Sequence, residues 1–194
     1  MAIHNLYLIR HGQSIYNLEN RFTGWKDVDL TPLGVKQARE AGSILKDVKF
    51  DCGFTSKLIR AQHTLNHILD QNNNSCSDIA QDIALNERDY GELIGQNKLE
   101  AAEKFGAEQV QIWRRSFDVP PPGGESLKMT ANRTLPFYKS DILPKVLKCD
   151  NVVISAHGNS IRAIVMEIFK LSPSEILKTE VGWCEPGIIS YDSN

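Results

Sequence analysis

The sequence predicts an α/β fold: a three-layer sandwich with a mostly parallel central sheet and helices on both faces. Three observations carry this. Short apolar runs alternate with longer stretches whose apolar residues recur at helical spacing, and strands separated by helices pair in parallel. Two of the runs end alike, in Arg10-His11-Gly12-Gln13-Ser14 and Ala156-His157-Gly158-Asn159-Ser160. If those strands are neighbours, both histidines emerge at one sheet edge, beyond the carboxyl ends where chemistry gathers in such sheets.

Asn5–Arg10 (NLYLIR) is an apolar run closed by His11-Gly12 and reads as a buried strand. Thr31-Pro32 supplies an N-cap and a first-turn proline, and Val35, Ala38, Gly42 and Leu45 follow at helical spacing, so a helix is expected over 32–46. Phe50–Thr55 is the second strand, and Leu58, Ala61, Leu65, Ile68 and Leu69 form one face of the helix after it. The polar run Gln71–Ser77 is a loop. A strand is expected within 78–85, and Asn97 to about Arg115 is helical with a break near Gly106.

Pro120-Pro121-Pro122-Gly123-Gly124 is the clearest breaker in the chain. It reads as a surface loop and not a linker, because helical spacing resumes at Leu127, Ala131, Thr134 and Leu135. Asn151–Ala156 (NVVISA) is a strand ended by His157-Gly158, and Ser160–Phe169 a helix. Ser172-Pro173-Ser174-Glu175 combines an N-cap, a first-turn proline and a capping-box glutamate, so a short helix starts there. Gly187–Tyr191 is the last strand. No internal repeat is visible, and residues 1–194 form one domain, with a helical excursion at about 86–124 expected to cover the site.

With 22 Lys and Arg against 24 Asp and Glu, the net charge of −2 carries no basic excess that would point to nucleic acid or an anionic membrane. Any cationic site must be local. Cys52, Cys76, Cys149 and Cys184 are far apart with no C-x-x-C, which argues against a zinc ribbon or thioredoxin motif and fits reduced thiols, while leaving disulfides open. His63 and His67 stand at i, i+4 without a nearby third ligand, so no metal is expected. No stretch approaches the roughly 20 apolar residues of a membrane span, and a soluble, cytoplasmic protein is expected.

One histidine closing a strand is ordinarily a structural ring bonded to a carbonyl. Two in matched settings, one preceded by arginine, ask for chemistry. Near neutrality an imidazole offers either a nucleophilic nitrogen or a hydrogen-bond donor. A pair can do both, and cations beside it suit a phosphoryl group whose charge must be met by preset donors. The glycines let the backbone turn and expose N–H groups to an anion. Neither a Walker A motif nor H-E-x-x-H occurs to suggest another use.

RHGQS followed by Asn17, NRFTGW (20–25) and DVDLTPLG (27–34) resembles the start of the cofactor-dependent phosphoglycerate mutases of the histidine phosphatase superfamily. The resemblance continues through SKLIRAQHT (56–64), LNERDYGEL (85–93), GQNK (95–98), WRRSFDVPPP (113–122), ESL (125–127) and AHGNSIRA (156–163). It implies a phosphohistidine on His11, with Arg10, Arg60 and His157 around the phosphoryl group and Glu87 as proton donor and acceptor. It further implies substrate contacts at Ser14, Asn17, Thr23, Gly24, Tyr90, Lys98, Arg114, Arg115, Gly158 and Asn159. The expected activity is interconversion of 3-phosphoglycerate and 2-phosphoglycerate in glycolysis and gluconeogenesis, primed by 2,3-bisphosphoglycerate and needing no metal. The expected partners are small phosphoglycerates, and a homo-oligomer is compatible with the pattern.

Two departures from longer members of that family stand out. Only Gly123-Gly124 separate the prolines from Glu125, and the chain ends at Asn194, where longer members carry a tail over the pocket. A phosphohistidine is reactive toward water, so less cover predicts phosphatase side activity. The competing readings are a histidine-type phosphomonoester phosphatase, a bisphosphoglycerate synthase or phosphatase, and a phosphate-binding scaffold. The second cation patch, Lys98 with Arg114-Arg115, favours the mutase, because a simple monoester does not need it.

Overall fold

The computed structural model describes residues 3–74 and 76–192. Ser75, inside the expected loop, and Asn194 lie outside the described residues. In chain order the elements are β1 (Ile3–Arg10), α1 (Ile15–Leu18), α2 (Pro32–Ile44), β2 (Cys52–Thr55), α3 (Ile59–Asp70) and β3 (Ile79–Gln81). They continue with α4 (Lys98–Phe105), α5 (Ala107–Arg115), α6 (Leu127–Phe137), α7 (Leu143–Val146), β4 (Asn151–Ala156), α8 (Gly158–Phe169), α9 (Pro173–Ile176) and β5 (Gly187–Asp192).

The strands form one sheet in the order β3-β2-β4-β1-β5. All neighbours are parallel except β5, which runs antiparallel along the β1 edge. Side chains alternate across β1. Leu6 and Leu8 face a core shared with Val152, Ile154, Tyr138, Ile142, Ile161 and Ile164, while Tyr7 and Ile9 face Ala38, Ala41, Leu45, Leu65 and Ile68. Helices α6 to α8 therefore cover one face and α2 with α3 the other, each buried leucine or isoleucine contributing about 1.5–3 kcal/mol. A third, smaller core of Phe22, Leu93, Ala101 and Val110, with Tyr90 and Trp113 against it, supports α4 and α5 apart from the sheet.

Local signals fix the boundaries. Thr31 caps α2 by accepting from Gly34 N, with Pro32 in the first turn. Asn97 caps α4, Gly106 at φ +89° separates it from α5, and Ser172 with Glu175 closes a capping box on α9. The expected strand over 78–85 is shorter. Only Ile79–Gln81 pairs, because the Asp82 carboxylate accepts from Ala84 N and the chain turns into a 3₁₀ turn at Ile83–Leu85. Past Phe137 the helix continues through a wide turn at Tyr138–Ile142, in which Leu143 N donates to the Tyr138 carbonyl. Pro136 and Pro144 flank that turn, where each removes a backbone donor.

Candidate active site

Strands β1 and β4 pair in register from Asn5 opposite Asn151 to Arg10 opposite Ala156. The next residue of each chain is a histidine, and the two rings lie 5.1 Å apart between centroids, tilted by 58°. His11 is 3% exposed and His157 fully buried. The loop after His11 is packed tightly. A methyl group at Gly12 would collide with the Gly34 carbonyl, and one at Gly34 with the Gln13 backbone, so the loop after β1 lies directly on the start of α2.

Hydrogen bonds assign the protons. His11 Nδ1 is 2.6 Å from the Gly12 carbonyl, which can only accept, so Nδ1 carries the hydrogen and Nε2 keeps its lone pair. His157 Nε2 is 2.7 Å from Ser56 Oγ, which also accepts from Leu58 N at 3.1 Å. The acceptor available to the buried Ser56 hydroxyl proton is Nε2, which places the imidazole hydrogen on Nδ1. Burial holds both histidines well below the usual imidazole range, and the Arg60 charge pushes each the same way. Both rings are neutral at neutral pH.

Two buried guanidiniums flank them. Arg10 donates from NH1 to the Val181 carbonyl at 2.8 Å and lies 5.6 Å from the Trp183 ring centroid. Arg60 donates to the carbonyls of Lys26 (3.0 Å) and Gly24 (2.8 Å), and burial lowers it to about 10, so it stays charged at neutral pH. Arg10 Nε, Arg60 Nε and His157 Nδ1 are all buried without a protein partner. Orphaned buried donors are costly, and three of them around one histidine make a cradle suited to an anion.

Glu87 is 9% exposed, and its Oε1 accepts from Arg88 N (2.8 Å), Asn159 N (3.2 Å) and Asn159 Nδ2 (3.0 Å). Its carbonyl is held by Trp25 Nε1 at 2.6 Å and Arg133 NH2 at 2.8 Å. Arg133 also donates to the carbonyls of Ala84 and Asn86 and pairs with Glu125 at 2.7 Å, so one guanidinium fixes the segment that presents Glu87.

A cavity of about 170 Å³ opens in front of this group. It is lined by Arg10, His11, Arg60 and Glu87, and by Asn17, Thr23, Gly24, Tyr90, Lys98, Arg114, Arg115, Gly158 and Asn159. His157 and Ser14 do not line it. Ser14 is fully buried at the N-cap of α1, accepting from Asn17 N and donating to Asn17 Oδ1 at 2.9 Å.

Arg114 and Arg115 end α5 and Lys98 begins α4, so the outer wall comes from the helical excursion. Burial lowers Lys98 to about 8, with Arg114 the next contributor. Sequence reasoning passed over four lining residues: Arg21, Phe22, Arg162 and Glu180. Seven cationic side chains and two carboxylates thus face one cavity in a chain whose net charge is −2.

Outside the cavity, His63 Nδ1 pairs with Asp29 at 2.7 Å, and the four cysteines are free thiols. No helix among the described residues is long and apolar enough to cross a membrane.

An α/β sheet that brings two neutral histidines and two buried arginines together at the base of a cationic cavity is the arrangement of a histidine-type phosphoryl-transfer enzyme. The chain belongs to the histidine phosphatase superfamily (branch 1), whose family model matches residues 6–194. It is 57% identical over 191 residues to a 2,3-bisphosphoglycerate-dependent phosphoglycerate mutase of Nitrobacter hamburgensis, covering 97% of this chain and 92% of that one. The mutase of the same name from Rhizobium meliloti is 51% identical, with 97% and 90% covered. Solved structures share the fold. Bacillus stearothermophilus YhfR superposes with a TM-score of 0.85 at 25% identity, covering 97% of this chain and 91% of that one. A mycobacterial glucosyl-3-phosphoglycerate phosphatase gives 0.83 at 25%, covering 97% and 90%.

Proposed function

We infer that the protein is a 2,3-bisphosphoglycerate-dependent phosphoglycerate mutase that interconverts 3-phosphoglycerate and 2-phosphoglycerate through a phosphohistidine on His11. The observation that carries this reading is the His11–His157 pair at 5.1 Å, with His11 Nε2 unprotonated, at the base of a cavity that also holds a second cation patch. The orphaned donors fit the charge of a phosphorylated acid. When bound, 2,3-bisphosphoglycerate supplies the phosphoryl group that charges the histidine.

His11 Nε2 attacks phosphorus in line, while Arg10, Arg60 and His157 Nδ1–H meet the charge on the equatorial oxygens. Glu87, whose recorded bonds all go to Oε1, keeps Oε2 for the proton of whichever sugar-acid hydroxyl gives up or receives phosphorus. Lys98, Arg114 and Arg115 hold the far anion, and Asn17, Thr23, Gly24, Tyr90, Gly158 and Asn159 complete the wall. Ser14 acts through Asn17, whose turn it caps. None of this uses a metal, and the soluble, cytoplasmic setting expected from the sequence suits it. The deciding experiment is coupled turnover of 3-phosphoglycerate with and without 2,3-bisphosphoglycerate. Turnover that needs no priming, or none at all, overturns the reading.

One observation supports phosphatase leakage beside mutase activity. The Pro120–Gly124 loop packs on the Gly91–Glu92 turn, where the Pro122 carbonyl accepts from Glu92 N and the Pro121 carbonyl from Gly124 N, and none of its residues lines the site. That loop therefore adds no cover over a phosphorylated His11. Slow hydrolysis of 2,3-bisphosphoglycerate is expected, and its absence beside fast mutase turnover removes this part of the reading.

A further inference from the structure

The cavity's second carboxylate, Glu180, belongs to no motif. It sits in the segment between α9 and β5, and its side chain is 79% exposed while its backbone neighbours are held. The Thr179 carbonyl accepts from Arg162 Nε at 2.9 Å and the Val181 carbonyl from Arg10 NH1 at 2.8 Å. The backbone on either side of Glu180 is therefore tied to two cavity arginines while the side chain stays free to swing.

That side chain reaches two cations carried by different helices. Glu180 Oε1 lies 3.9 Å from Arg115 NH1 at the end of α5, and Oε2 lies 3.9 Å from Arg162 NH2 on α8. At that length both contacts are ionic without being hydrogen bonds, which suits a counter-ion that can leave.

We propose that Glu180 is a charge-selecting residue of this pocket: its carboxylate occupies the outer cations Arg115 and Arg162 and gives way only to a ligand that brings a second anionic group. The inference rests on the functional reading above and deepens it by naming the ligand class, small acids with two separated anions. A ligand with one anion settles at the histidines and leaves Glu180 in place. One with two anions must displace the carboxylate, so its affinity is reduced by the value of those two long ion pairs. That brake keeps doubly charged ligands from saturating the site.

The test compares Glu180→Gln with the unchanged chain by calorimetric binding of 2,3-bisphosphoglycerate and of inorganic phosphate at fixed low salt. The variant should bind bisphosphoglycerate roughly three- to tenfold tighter and inorganic phosphate less than about twofold tighter. Glu185→Gln removes the same charge from the same segment, at a residue that does not line this cavity, and should change neither. Equal tightening of both ligands, equal tightening by Glu185→Gln, no change or weaker bisphosphoglycerate binding each overturns the proposal. Because the readout is binding, mutase turnover of the unchanged chain reports separately on the functional reading.

Discussion

Ser56 Oγ lies 2.7 Å from His157 Nε2 and fixes the ring so that Nδ1, buried and without a protein partner, is its remaining polar atom. Ser56→Ala removes that bond and leaves Nε2 without a partner in a fully buried setting. Stability should fall by about 1–3 kcal/mol in urea denaturation. Mutase kcat should fall by at least roughly tenfold, as when a catalytic ring loses its orienting group. Unchanged kcat in the folded variant contradicts the assigned tautomer.

His11→Ala removes the attacking nitrogen. Mutase turnover should drop by roughly four orders of magnitude or more. No acid-labile phosphate should appear on the protein after incubation with labelled 2,3-bisphosphoglycerate, and label retained in the variant would move the nucleophile elsewhere.

Glu87→Gln keeps the size and the Oε1 contacts and removes the base. Its kcat should fall about 10²- to 10⁴-fold with KM changed by less than about threefold. Wild-type turnover in this variant ends the acid/base assignment.

The histidines and Lys98 give opposite pH signatures. Both imidazoles sit below their unfolded value, so between the folded and unfolded pKa the unfolded chain binds more protons. Stability is then complete above about pH 6.5 and declines as pH falls beneath it, by about 1.4 kcal/mol per pH unit for each proton taken up. Denaturation of the His11→Asn, His157→Asn double variant should show a flatter pH slope. Lys98, lowered to about 8, loses its charge as pH rises through that value, so bisphosphoglycerate affinity should weaken there. Lys98→Arg should abolish that step, because a guanidinium keeps its proton.

Gly34→Ala tests the close approach of the nucleophile loop to α2. A methyl there meets the Gln13 backbone, which cannot move without moving His11. Destabilisation of about 1–3 kcal/mol with loss of turnover is expected in denaturation and activity measurements.

The central strands and the meeting of His11 with His157 were legible because β1 and β4 carry two signals at once, an apolar run and a His-Gly exit. The antiparallel direction of β5 was not, since strand direction is set by the connection through α9 and leaves no mark in Gly187–Tyr191. The wide turn at Tyr138–Ile142 was not legible either, because its one longer backbone bond, from Leu143 N to the Tyr138 carbonyl, has no residue signature. Arg162 lay within a matched motif but resembles any helix-surface arginine until the fold sets it one turn beyond Gly158. Arg133 and Glu180 carry no local signal, because their roles exist only through segments distant in sequence. Ser14 was legible as a motif residue, but its burial at the N-cap of α1, bonded to Asn17, shows only in the fold.

The residue-for-residue ladder of β1 and β4 carries the imidazoles on the central sheet, whereas the proposed grip of Lys98, Arg114 and Arg115 on the far anion rests on α4 and α5 with their own small core. Warming should loosen that grip first. A half-melted molecule would still accept phosphorus on its histidine but would return it to water, so heat would turn an isomerase into a hydrolase before it destroyed the enzyme.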